Sequence, residues 1–93
     1  MQMQKIILVD DDENILTSVA MALEAEDFAV GAFSDSQKGL DEILETHPDL
    51  VVLDVKMPGL DGFAVLERLR KASDVPVIFL TSKDDEVDEV LGL

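Results

Sequence analysis

Cysteine is missing from the chain. That excludes disulfides and thiolate zinc sites, and it suits a reducing compartment. Basic residues are scarce: 7 Lys and Arg face 21 Asp and Glu, for a formal net charge of −14. Nucleic acid is therefore a poor direct partner, because its phosphates are held by Lys and Arg. A cation fits such a chain better, although part of the charge simply keeps a protein soluble at a cost in self-repulsion. No apolar run approaches the roughly 18 residues that a membrane span requires. The first residues, Met1 to Lys5, form no apolar signal core. No membrane association and a cytoplasmic location are the expectations, reached by elimination. A glycine-rich loop is also lacking after the first apolar run, which argues against a nucleotide-binding module.

What is present is a core. The 93 residues are 47% hydrophobic, enough for one small domain that buries about two-thirds of its unfolded surface. The stretch Leu50-Val51-Val52-Leu53-Asp54 is an apolar run closed by a carboxylate, followed by a turn at Pro58 and Gly59. Such a run reads as a strand buried on both faces. Lys5 to Val9 is a second run of this kind, closed by Asp10, Asp11 and Asp12. Phe28 to Phe33 and Val75 to Leu80 complete four expected strands.

Helices are expected between them. From Asn14 to Glu26 the residues Ile15, Leu16, Val19, Ala20 and Leu23 recur with a period near 3.6, and Asp12 is placed to cap that helix. Leu40, Ile43 and Leu44 mark a second helix, capped within Ser34-Asp35-Ser36 and stopped at His47-Pro48. Phe63, Leu66 and Leu69 mark the inner face of a third, and Lys83 to Leu93 opens a fourth. Alternation of strand and helix means βαβ units, a parallel sheet and helices on both faces.

Strands of a parallel sheet share one carboxyl rim, where ligands of open α/β sheets bind. The first strand delivers Asp10 and Asp11 there, the third Asp54 and the fourth Thr81 and Ser82. If the first and third strands are neighbours, their acids converge. Unscreened, they repel and raise one another's pKa. Mg²⁺ relieves this, since it takes oxygen ligands and typically one or two carboxylates with phosphate oxygens. An ionised aspartate is also a nucleophile toward phosphorus, and a hydroxyl such as that of Thr81 can hold a phosphoryl oxygen. The expected reaction is phosphoryl transfer onto Asp54. The bland alternatives are real ones: an acid run that only caps a helix, and a threonine that only ends a strand. His47, single and far from the rim, reads as a helix terminus and not as a ligand.

At these residues the chain resembles a response-regulator receiver domain. The matching pieces are Ile6 to Asn14, Leu50 to Gly62 and Val75 to Asp85, in the family's order and spacing. The resemblance implies a flavodoxin-like α/β fold with strand order 2-1-3-4. It implies Asp54 as phospho-acceptor and Thr81 as switch hydroxyl. Mg²⁺ is then held by Asp11 directly, by Asp10 through water, by Asp54 and by the main-chain carbonyl of Lys56. A sensor histidine kinase is the implied donor. The segment from Ile7 to Glu26 is most similar to ChvI-type regulators, which carry a DNA-binding winged-helix domain after the receiver and so regulate transcription.

The chain departs from this pattern by stopping inside the fourth helix, without the family's fifth strand, fifth helix and phosphate-binding lysine. The expectation is a receiver domain over residues 1–93, incomplete at its C-terminus. An unpaired fourth strand then invites a homodimer or a segment-swapped oligomer. Two functional alternatives stand beside the phosphoacceptor, which is itself not an enzyme turning over other substrates. One is a receiver that binds partners without being phosphorylated. The other is an aspartyl phosphatase, disfavoured because Lys56 stands where such enzymes carry a second acid.

Overall fold

A computed structural model of the chain describes residues 3–80. The elements are β1 (Lys5–Val9), α1 (Glu13–Ala25), β2 (Ala29–Phe33), α2 (Ser36–Thr46), β3 (Leu50–Asp54), α3 (Gly62–Arg70) and β4 (Val77–Leu80). The strands form a parallel sheet of order β2-β1-β3-β4. This is the flavodoxin-like arrangement expected from the sequence. The expected fourth helix and Thr81 lie outside the described residues.

β1 and β3 are central because their residues are apolar on both faces. Ile7, Val9, Val51 and Leu53 meet Leu40 and Ile43 of α2 and Val65 and Leu69 of α3. On the other face Ile6, Leu8 and Val52 meet Leu16 of α1. Alternate side chains of one strand thus serve opposite layers. Gly39 lets α2 lie against β1: a Cβ there would stand 2.6 Å from Val9 Cγ2.

Each described helix is capped by the aspartate just before it. Asp12 accepts from the amides of Asn14 and Ile15, Asp35 from Lys38 and Asp61 from Ala64. These side chains satisfy donors that a helix start leaves open. His47 closes α2 in the left-handed region (φ 53°), and its amide donates to Ile43 O.

The helix faces differ from expectation in detail. Phe63 is 54% exposed, whereas Gly62, Val65 and Leu69 form the buried side of α3. Phe63 instead lies against the ring of Phe79, with centroids 5.0 Å apart. Ile15 and Leu44 also face outward. β2 and β4 begin one and two residues later than the hydrophobic runs suggest. Val75 stays in the core without belonging to the strand, which is why hydrophobicity alone overextends β4.

Candidate functional site

Register places the acids together. Val9 pairs with Leu53 across β1 and β3, so Asp10, one residue past the end of β1, stands beside Asp54, the last residue of β3. The amide of Asp10 donates to Phe33 O and holds the chain against β2 as it leaves the sheet. Its side chain is 2% exposed, and its Oδ1 accepts from the amide of Asp12 at 2.8 Å. That bond bends the chain and leaves Asp11 exposed at the mouth of the site.

One carboxylate oxygen from each of Asp10, Asp11 and Asp54 lies within 4.8 Å of the others. They line a cleft of about 310 Å³ with Asp12, Lys56, Ile15, Val19 and Leu80. Burial raises the pKa of Asp10, and the charge of Asp11 adds to this against the bond from Asp12. Burial likewise pushes Asp54 up to about 6, with the charge of Asp10 as the next cause, opposed by a backbone hydrogen bond from Lys56.

The donor set fits a hard divalent cation. It is made only of oxygen, its members are close enough to face one ion, and two of the three are penalised for carrying charge without one. Lys56 is exposed at the cleft, two residues past β3. Met57 beside it is 8% exposed and packs in the core, which anchors the loop and the main chain of Lys56. Thr81, the expected switch hydroxyl, lies outside the described residues. The strand leading to it is in place, since Leu80 pairs with Asp54 and Leu80 O accepts from the amide of Val55.

Three supporting residues were not singled out from sequence for these roles. Gly62 donates its amide to Val55 O, and a Cβ on it would run into the carbonyl oxygen of Asp54 and approach Val55 Cα to 3.1 Å. Only glycine lets α3 start this close to the main chain of Asp54 and Val55. The others are Met57, an apolar residue inside a polar loop, and Asp61, an acid just before an apolar period. Those two local patterns were the available signals.

Residues 6–93 match the family described as the response regulator receiver domain. The transcriptional regulatory protein AfsQ1 of Streptomyces coelicolor is 38% identical over 91 residues, covering 98% of this chain and 40% of that protein. The DNA-binding response regulator MtrA of Mycolicibacterium smegmatis is 41% identical over 90 residues, covering 97% of this chain and 40% of that protein. Among solved structures, the BeF3-activated N-terminal receiver domain of Klebsiella pneumoniae RstA aligns with a TM-score of 0.83 at 33% identity, covering 95% of this chain and 75% of that one. The chain therefore spans about 40% of the length of the two regulators it matches. The family match runs through both strands that carry the acids and the loops that follow them, and on that ground the chain belongs to the response-regulator receiver domains of two-component systems.

Proposed function

We propose that Asp54 accepts a phosphoryl group from a phosphohistidine on a sensor histidine kinase. The observation that carries this reading is the place of Asp54. It ends a central strand, half-buried beside two further acids and open to a cleft. A pKa near 6 leaves it mostly ionised at neutral pH while keeping it more basic than an ordinary aspartate. One carboxylate oxygen attacks phosphorus. The O–P bond forms as the donor's N–P bond breaks, the imidazole leaves, and an acyl phosphate remains on Asp54.

Asp10, Asp11 and Asp54, with the main-chain carbonyl of Lys56, would hold Mg²⁺, whose charge offsets that of the phosphoryl oxygens. Two observations support this set: the Asp10 carboxylate is held by its bond from the amide of Asp12, and Met57, packed in the core, anchors the loop next to Lys56. Thr81 follows β4 directly and is assigned to a phosphoryl oxygen. The protein acts as a stoichiometric acceptor and not as an enzyme on an external substrate. A transcriptional output is supported by the names of two relatives, the transcriptional regulatory protein AfsQ1 and the DNA-binding response regulator MtrA. No described helix is long and apolar enough to cross a membrane.

The test uses Mg²⁺ and phosphoramidate or acetyl phosphate, read by intact mass. Addition of one phosphate to the parent and none to Asp54→Asn is expected. Labelling that survives in Asp54→Asn refutes the assignment, as does a parent that stays unlabelled. RstA was solved in a BeF3-activated form, so beryllofluoride is a second probe, and it should perturb the amides around Asp54. We also assign self-association to β4. Its outer side is unpaired among the described residues and Ile78 on it is 40% exposed. Sedimentation of a monomer at high concentration would overturn that assignment.

A further inference from the structure

β2 is an outer strand among the described residues. Its sequence, Ala29 to Phe33, carries no charge and no proline, the usual guards of an exposed edge. The amide of Ala29 donates to Gln4 O, and Phe33 O accepts from Asp10. The odd-numbered residues of β2 thus serve β1. In a parallel ladder the alternate residues turn the other way, so the amides and carbonyls of Val30 and Ala32 point outward from the sheet.

The side chains of these two residues stand on the α1 face. Val30 packs against the cluster around Leu16. Ala32, small and exposed, leaves a groove of about 420 Å³ between β2 and α1. Leu16, Ala20 and Met21 form its apolar wall, and Met21 is 64% exposed. Glu13 and Glu24 stand near its two ends, and no Lys or Arg lines it.

We propose that this edge binds an extended cationic peptide that adds a strand to β2. Its backbone pairs with the outward groups of Val30 and Ala32, and its side chains alternate between solvent and the groove. An apolar residue fills the groove, and basic residues two positions to either side meet Glu13 and Glu24. Residues four apart in a strand are about 13 Å apart. Glu13 and Glu24 are separated by about 16 Å along the helix, and a lysine side chain closes the difference. The recognised pattern is therefore basic-x-apolar-x-basic. Charge chooses this occupant over a second copy of the chain, which would bring the Glu13 and Glu24 rims against their own equivalents. The inference goes beyond phosphoryl acceptance and uses none of the site's acids.

The probe is a fluorescent seven-residue peptide alternating Thr with Lys, Val and Lys. Its control has the same composition with the two lysines adjacent. Anisotropy should show at least tenfold tighter binding of the alternating peptide, and the tightening should shrink with salt. Amide shifts should concentrate at residues 30–34 and along the Leu16 to Met21 side of α1. Ala32→Lys, at an exposed position, should weaken binding at least tenfold. Ala32→Pro should do the same by removing an outward N–H that β1 does not use. Asp54→Asn should bind as the parent does. Unchanged affinity in both Ala32 variants overturns the proposal. So does loss of binding in Asp54→Asn, which would place the peptide in the acid cleft. A dimer that Ala32→Lys dissociates, with no peptide bound, would give the edge to a second copy and overturn it too.

Discussion

Asp54 holds its proton more tightly in the folded chain, at a pKa of about 6, than a carboxyl at the ordinary 3.8. Between those values the folded protein is protonated there while the unfolded chain is not. Stability of the metal-free protein therefore falls as pH rises through that window, and the penalty is complete above it. Asp10 acts in the same direction. The cost attributable to Asp54 is roughly 2–3 kcal/mol. Urea denaturation without divalent ions should show Asp54→Asn more stable than the parent at pH 7, by about 1–2 kcal/mol, with the gap narrowing toward pH 5. An equal gap at both values would remove the burial argument. Gly62 offers a second test at this scale. Gly62→Ala forces a Cβ onto the Asp54 backbone and should cost about 1–3 kcal/mol. It should also slow phosphorylation by more than its effect on folding accounts for, measured at a temperature where the variant is fully folded.

Among the elements, α3 is the shortest described helix, and its cap is the residue just before it. The helix has nine residues, and Asp61 caps it through Ala64 at 2.9 Å. Asp61→Ala should lower stability by about 1 kcal/mol, and hydrogen exchange should quicken at Gly62 to Val65 before it does elsewhere. Protection that stays unchanged there would argue that packing of Val65 and Leu69 alone holds the turn. The same helix shows where sequence reading failed. Phe63, Leu66 and Leu69 look like one stripe, yet the chain buries Gly62, Val65 and Leu69. Glycine carries no hydrophobic signal, so a face built on close backbone approach cannot be seen in an apolar period. The strands were legible because both faces of β1 and β3 are buried, which leaves an unbroken apolar run. The acids were legible because such runs end on them. Met57, Gly62 and the depth of Asp10 were not, since each depends on what another strand or loop brings near.

For the molecule as a whole, a charge of −14 sets how it responds to ions. Raising NaCl to about 0.15 M shortens the Debye length to about 8 Å and should stabilise the parent and Asp54→Asn alike. Mg²⁺ at matched ionic strength should add a further gain for the parent, about 2.7 kcal/mol at a hundredfold excess over its dissociation constant. That extra gain should be smaller in Asp54→Asn. Thermal denaturation in paired buffers separates the two effects, and an identical Mg²⁺ gain in both proteins would remove the ion from this cleft.

The acid trio is split between β1 and β3, and β2 with both flanking helices is threaded between those strands in the chain. Until that excursion has closed, Asp10 and Asp54 are strangers, and no short fragment can imitate their meeting. Closeness of the three carboxylates is therefore a certificate of correct assembly: a copy that has mispaired its central strands cannot bring them round one point.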